Sequence, residues 1–109
     1  MSDRELLTLA AKAAGMHLTR VGYIKNGDEG NPVYRHPDYE WNPLTDDGDA
    51  LRLAVKLGLR VKQLMNTKYA LVNDYIKDVY MHEPHGTDPL AATRRAIVRA
   101  AAEIGRAMK

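Results

Sequence analysis

The chain has 109 residues, enough for one domain with a modest core, and its 45% hydrophobic and 28% charged residues exclude disorder over the whole length. It contains no cysteine, which excludes disulfides, thiolate zinc sites and cysteine nucleophiles. No apolar run is long enough to span a bilayer, and the net charge of +2 is too small to indicate a nucleic-acid partner by itself.

The first predicted helix covers about residues 3 to 14. Ser2 and Glu5 have the spacing of a capping box, in which the serine side chain accepts from a free backbone N–H at the start of a helix. Apolar residues then recur at helical intervals. Gly15 follows the last of them and is a suitable stop, because glycine adopts the left-handed conformation that ends many helices.

A hairpin is predicted next. Met16 to Ile24 alternates between apolar and polar residues, which is typical of a half-buried strand. The following segment contains Asn26-Gly27, and both residues tolerate the positive φ of a tight turn. Val33 to His36 is predicted to be the returning strand, with Pro37 at its end.

The second predicted helix begins at Thr45 as N-cap and ends at Gly58. Its first turn is rich in carboxylates, which favour the positive end of the helix dipole. The interior is apolar almost all round, with only Arg52 and Lys56 as a polar stripe, so this helix is predicted to be mostly buried.

Strands are predicted for the next part of the chain. Leu59 to Met65 alternates, with Val61 on one face and Arg60 on the other. Residues 69 to 81 fit a helical stripe as well as an extended alternation, but their β-branched and tyrosine content favours two short strands. His82 to Thr87 is predicted to be a loop.

The last predicted helix begins at Asp88-Pro89, an N-cap followed by proline at the first helical position, and runs to about residue 107. The whole chain is therefore predicted to be one α+β domain, residues 1–109, in the order α-ββ-α-ββ(β)-α. Helices that alternate with hairpins indicate an antiparallel or mixed sheet with helices packed on it, an α/β sandwich.

Three segments resemble small bacteriophage and prophage proteins of the phage ABA sandwich domain family. They are Trp41 to Leu57, Asp88 to Ile104, and the opening from Asp3 to Gly15. Residues 25 to 36 and 66 to 85 do not match. The resemblance implies an α/β sandwich and a phage or prophage origin, and it implies no catalytic motif, cofactor or defined partner.

Three groups of residues are candidates for an interaction surface. Trp41 is either a binding hot spot or, in the interpretation we prefer, a packed residue beside the proline turn. The acidic candidates either face a partner or serve the start of the second helix: Asp46, Asp47 and Asp49. The basic candidates lie on the last helix: Arg94, Arg95, Arg99 and Arg106.

The four arginines admit two interpretations. They contact phosphates, with Arg60 and Lys62 nearby, or they form a solvated helix face on which Glu103 is spaced to pair with both Arg99 and Arg106. No aromatic stacking motif accompanies them.

A metal site is a further alternative for residues 82 to 88. His82, Glu83, His85 and Asp88 contain donor atoms of the kind that zinc uses, but they lack the helical H-E-x-x-H spacing, so we prefer a polar loop with Asp88 as helix cap. The acidic cluster at 46–49 lacks the closing glutamate of a calcium loop. No nucleophile sits in a known motif, so no catalytic, cofactor-binding or metal-binding residue is predicted.

The sequence favours a non-enzymatic phage or prophage accessory protein that acts in the host cytoplasm by binding a host or phage protein, or by forming a homodimer. The cytoplasmic expectation rests on the charged start of the sequence, which lacks the apolar region of a secretory signal. The first alternative is a nucleic-acid-binding module that uses the arginine-rich helix, and the second is a small-ligand binder for a nucleotide. No membrane partner is expected.

Overall fold

The structure is a computed structural model that describes residues 1–16, 19–23, 32–36 and 39–108, with side chains described for 1–16 and 41–108. In chain order its helices and strands are α1 (Asp3–Ala13), β1 (Thr19–Tyr23), β2 (Pro32–His36), β3 (Tyr39–Glu40), α2 (Asp47–Leu57), β4 (Arg60–Leu64), β5 (Tyr69–Asp74), β6 (Val79–Pro84) and α3 (Pro89–Ala107).

The predicted α+β class is confirmed. The described residues form two three-stranded antiparallel sheets, in the orders β1-β2-β3 and β4-β5-β6, with α3 packed against the second sheet and α1 and α2 packed on α3. The predicted element order is also confirmed, except that β3 adds a strand of two residues, too short to give an alternating pattern. The turn predicted at Asn26-Gly27 lies outside the described residues.

The ends of α1 and α3 follow the predicted capping chemistry. The Ser2 hydroxyl accepts from the Glu5 N–H at 3.2 Å, and Gly15 follows α1 with a φ of +67°. Asp88 accepts from the N–H groups of Leu90 and Ala91, both at 3.1 Å, and Pro89 occupies the first turn of α3. These side chains satisfy backbone donors that have no partner within the helix.

The predicted N-cap of α2 is wrong by one residue. Asp46 is the cap, and its carboxylate accepts from the Asp49 N–H at 2.8 Å. Thr45 belongs instead to the preceding turn, where its N–H donates to the carbonyl of Asn42 at 3.2 Å. Gly58 ends the helix as predicted, with a φ of +68°.

The prediction that α2 is mostly buried is wrong on one side. Leu53, Ala54 and Leu57 are buried, but Leu51 and Val55 are 63% and 73% exposed. The main contact of α2 with another described helix or strand is its contact with α3. A helix covered from one direction buries one stripe only.

Residues 69 to 81 form strands, as predicted, but the loop predicted from His82 is wrong. Strand β6 continues through Pro84, because β5 begins early enough to pair with it: His82 lies opposite Leu71, and Tyr69 lies opposite Pro84. The loop begins only at His85, whose N–H donates to the Lys68 carbonyl at 2.8 Å. Pro84 is tolerated because β6 is an edge strand and proline stands at its end.

Helix α3 organises the core through contacts with α1, α2, β5 and β6. Its contact with α1 is close: a Cβ added at Gly105 would lie 2.0 Å from the Leu9 carbonyl oxygen. Asp3 pairs with Arg95 near the start of both helices, and Lys12 donates to the Met108 carbonyl near their ends. The two helices are therefore parallel.

Candidate functional site

One face of the β4-β5-β6 sheet carries side chains that the helices do not cover. Successive side chains of a strand point to opposite faces, and Val72, Gln63 and Glu83 belong to the face towards α3. Val72 is fully buried, Gln63 donates to Thr93 at 2.8 Å, and Glu83 pairs with Arg99. The opposite set is called the outer face here and consists of Arg60, Lys62, Leu64, Tyr69, Leu71, Asn73, Tyr80, His82 and Pro84.

The strand register arranges the outer face in three rows. Arg60, Asn73 and Tyr80 form the first row. The second consists of Lys62, Leu71 and His82, and the third of Leu64, Tyr69 and Pro84. Cations therefore lie along β4 and rings along β5 and β6, and none of these nine residues is an acid.

The rings of the outer face are packed edge to face. The centroids of Tyr69 and His82 are 5.3 Å apart with an interplanar angle of 90°, and those of Tyr80 and His82 are 5.8 Å apart at 82°. Tyr80 is nevertheless 61% exposed. With Leu64 and Thr67, the three rings line a cavity of about 200 Å³. Much of this aromatic surface thus remains free to stack on a ligand.

A second cavity, of about 570 Å³, adjoins the first and is called the Asn73 cavity here. It is lined by Arg60, Val61, Lys62, Leu64, Leu71, Asn73, Tyr75 and Tyr80. The Arg60 guanidinium lies 5.4 Å from the centre of the Tyr75 ring, within the range of a cation–π contact.

Asn73 is 4% exposed, and its side-chain amide forms no hydrogen bond with a described residue. Every fully buried side-chain nitrogen and oxygen in the described part of the chain has a partner. The Asn73 amide therefore retains access to the cavity that the residue lines. A ligand that covers this amide would desolvate it, which costs free energy unless the ligand supplies a hydrogen bond.

The turn between β5 and β6 holds Tyr75 at the edge of this cavity. Asp74 accepts from the Ile76 N–H at 3.0 Å and from Lys77 Nζ at 2.7 Å, and Lys77 also donates to the Leu57 carbonyl at 2.8 Å. The hydrogen bond from Lys77 lowers the pKa of Asp74, aided by the Ile76 N–H and by the Lys77 charge and opposed by burial. The carboxylate form of Asp74 thus stabilises the turn.

The predicted acidic candidates all make contacts within the fold. Asp46 caps α2, and Asp47 pairs with Arg94 at 2.6 Å. Asp49 is 2% exposed and accepts from the Asn42 N–H at 3.0 Å and from Arg52 at 2.8 Å. These contacts join the 41–49 segment to α2 and α3.

The predicted basic candidates are also paired. Arg94 donates to the Leu44 carbonyl in addition to Asp47, and Arg95 lies 3.2 Å from Asp3. The prediction that Glu103 pairs with two arginines is wrong for one of them: it pairs with Arg106 at 2.7 Å. Arg99 pairs with Glu83 of β6 at 2.5 Å, because α3 packs directly on that strand.

Trp41 is 3% exposed and belongs to the core. The preferred packing interpretation is confirmed. The indole is therefore shielded from solvent as part of the core.

The four potential metal ligands of the 82–88 segment point to different surroundings. His82 lies on the outer face between tyrosines, and Glu83 lies on the other face of the same strand. His85 is buried against the Gln63 carbonyl oxygen, 2.7 Å from its Nε2, and Asp88 caps α3. No group of three or more acidic or histidine side chains in the described part of the chain is arranged to hold a metal ion.

No family model, curated protein or solved structure matches this chain. The resemblance to phage ABA sandwich proteins therefore stays a prediction. No helix among the described residues is long and apolar enough to cross a membrane.

The outer face was missed at the sequence level, although its signal is present. Arg60 and Lys62 alternate along one strand and therefore lie on one of its faces. Tyr80 and His82 alternate in the same way along a second strand. The link between them is the register, which a single sequence does not specify.

Proposed function

We propose that this protein is a non-enzymatic binding module for single-stranded nucleic acid and that the outer face is its working surface. One observation carries the proposal: cations, exposed rings and a free amide share a sheet face without an acidic side chain. Single-strand binders combine these elements, since cations attract phosphates and aromatic rings stack on unpaired bases.

The rings favour a single strand over a duplex. Tyr80 is 61% exposed, lies opposite Asn73 and contacts the His82 ring of its own strand. A base can stack on Tyr80 only when it is not stacked between neighbouring bases, as it is in a duplex. Arg60 and Lys62 flank these rings on β4 and supply the positive potential that a phosphate backbone requires.

The test is fluorescence anisotropy with a labelled single strand and its duplex. We expect wild type to bind the single strand more tightly, and Tyr80→Ala to weaken binding by roughly five-fold or more, since base–aromatic stacking contributes about 1–3 kcal/mol per base. Arg106→Gln is the control, because Arg106 pairs with Glu103 on α3. Absence of binding at low salt, or wild-type affinity in Tyr80→Ala, would reject the proposal.

Salt dependence tests the phosphate contacts separately. Each phosphate contact of a single strand contributes a slope of about −0.7 to the plot of log affinity against log salt concentration. Lys62→Gln removes one cation from the outer face, so we expect its slope to be shallower than wild type by about 0.7. An unchanged slope would place Lys62 away from the nucleic acid.

A second candidate function is protein binding by self-association, in the setting of a phage or prophage accessory protein. Leu51 and Val55 stand on successive turns of α2 and are both mostly exposed, which gives an apolar strip that a second copy can cover. Sedimentation of wild type and of Val55→Lys tests this. A dimer that Val55→Lys dissociates supports it, whereas a wild-type monomer at high concentration excludes it.

A further inference from the structure

We infer that the Asn73 cavity is a pocket for one unstacked base and that it prefers adenine to the pyrimidines. The inference rests on the proposed function and goes further, because stacking and phosphate contacts alone do not discriminate between bases.

The cavity has the size and lining of a nucleobase site. Its volume of about 570 Å³ falls within the range of about 300–1,000 Å³ that is typical of small-molecule sites. Leu71 contributes apolar surface, Tyr75 and Tyr80 contribute rings, and Arg60 contributes a planar cation beside Tyr75. A flat aromatic ligand fits these walls, because rings and guanidinium planes stack on bases.

Asn73 supplies the polar group that orients the base. It is 4% exposed, lies in the same row as Arg60 and Tyr80, and its amide has no hydrogen-bond partner among the described residues. A base that enters the cavity would satisfy this amide, whereas a base without complementary groups would leave it unpaired. Such an unpaired group is a strong source of discrimination.

The amide presents one donor and one acceptor side by side. Adenine offers the complement on two edges, because its 6-amino group adjoins a ring-nitrogen acceptor on either side, and asparagine pairs with adenine in this bidentate way in DNA complexes. The corresponding N7 edge of guanine offers acceptors only, whereas the O6 and N1–H groups on its other edge also complement an amide. Cytosine and thymine match on a single edge and present a smaller ring to Tyr75 and Tyr80.

The experiment compares labelled single strands of deoxyadenosine, deoxycytidine and thymidine. We expect wild type to prefer the adenine strand by about five-fold or more, the lower limit for a bidentate contact. Asn73→Leu has a similar volume without the amide, so it should lose most of the preference for the adenine strand. Thermal unfolding of Asn73→Leu verifies that the variant is folded.

A second measurement needs no variant. A strand in which purine without the 6-amino group replaces adenine removes the donor from the ligand instead of from the protein, and we expect wild type to lose its preference for it. Equal binding of all strands by wild type would overturn the adenine pocket and leave the proposed function intact. Absence of binding to every strand would reject both.

A comparison with adenosine monophosphate shows whether the pocket takes a base from a strand or a free nucleotide. The adenine strand should bind more tightly than the free nucleotide, because the strand also reaches Lys62 and Tyr80. If the nucleotide alone raises the melting temperature as much as the strand does, and Asn73→Leu abolishes this, the pocket serves a free nucleotide and the single-strand proposal fails.

Discussion

Gly105 shows how one residue can determine the spacing of two helices. Glycine inside a helix usually costs about 1 kcal/mol relative to alanine, so Gly→Ala is expected to stabilise most helices. Here a Cβ would lie 2.0 Å from the Leu9 carbonyl oxygen and 2.9 Å from its carbon, both of them backbone atoms. The helices would have to separate, and overpacking of this kind costs about 1–3 kcal/mol.

We therefore predict that Gly105→Ala lowers the free energy of unfolding in urea by at least about 1 kcal/mol. Gly48→Ala is the matched control in α2, because its Cβ would meet side-chain atoms of Arg52 and Asp46, at 3.1–3.2 Å, rather than backbone atoms. The control should be neutral or more stable by up to about 1 kcal/mol. Equal effects of the two substitutions would contradict the close contact between α1 and α3.

Asp49 and Asp47 allow a second test at this scale, because they differ in burial. Asp49 is 2% exposed and accepts two hydrogen bonds, so Asp49→Asn should lower the free energy of unfolding by about 1.5–3 kcal/mol. Asp47 is 63% exposed in its pair with Arg94, so Asp47→Asn should cost less than about 1 kcal/mol. Chemical denaturation measures both, and a reversed order would mean that Asp49 contributes little.

Between elements, the β5–β6 turn depends on the ionisation of Asp74. Its pKa is lowered in the folded protein, so the unfolded chain binds the proton more readily. The stabilisation is therefore complete above the ordinary aspartate pKa of about 3.9 and is lost as the pH falls through the lower folded value.

We predict that the difference in melting temperature between wild type and Asp74→Asn is present at neutral pH and disappears in acid. The effect should require Lys77, whose hydrogen bond is the largest cause of the shift. In the background of Lys77→Met, the pH dependence of the difference should be reduced. A difference that is constant from neutral pH into strong acid would contradict this account.

The helix ends were the most predictable part of the fold, because capping is local. Ser2, Asp88 and Gly58 act as their sequence positions indicate. The end of β6 was not predictable in the same way: His82 and Pro84 read as a loop until β5 supplies their partners. The length of a strand depends on the strand that pairs with it, whereas a helix N-cap depends only on the next three residues in the sequence.

On the scale of the whole molecule, the two basic regions differ in how their charge is used. The arginines of α3 each face a carboxylate, from Asp3 of α1, Asp47 of α2, Glu83 of β6 or Glu103 of α3 itself. The outer face presents Arg60 and Lys62 without an acid in its nine positions. The spacing of arginines along one helix does not reveal the partners on other elements, so the carboxylates of α1, α2 and β6 that pair with these arginines could not be predicted from the sequence.

We predict a clear difference between two variants that each lose two positive charges. Arg60→Gln with Lys62→Gln should weaken single-strand binding by roughly ten-fold at low salt, because both cations flank the rings. Arg94→Gln with Arg106→Gln should change it little, although the net charge is the same. Equal losses in the anisotropy titration would show that net charge, rather than the outer face, determines affinity.

The parallel contact of α1 with α3 also has a consequence for how the chain folds. Leu9 meets the region of Gly105 and Lys12 reaches Met108, so the two surfaces lie 96 residues apart in the sequence. During translation α1 emerges early and has no surface to dock on until α3 has been synthesised. Closing so long a loop is entropically costly, so this helix-rich protein should fold more slowly than its helical content suggests.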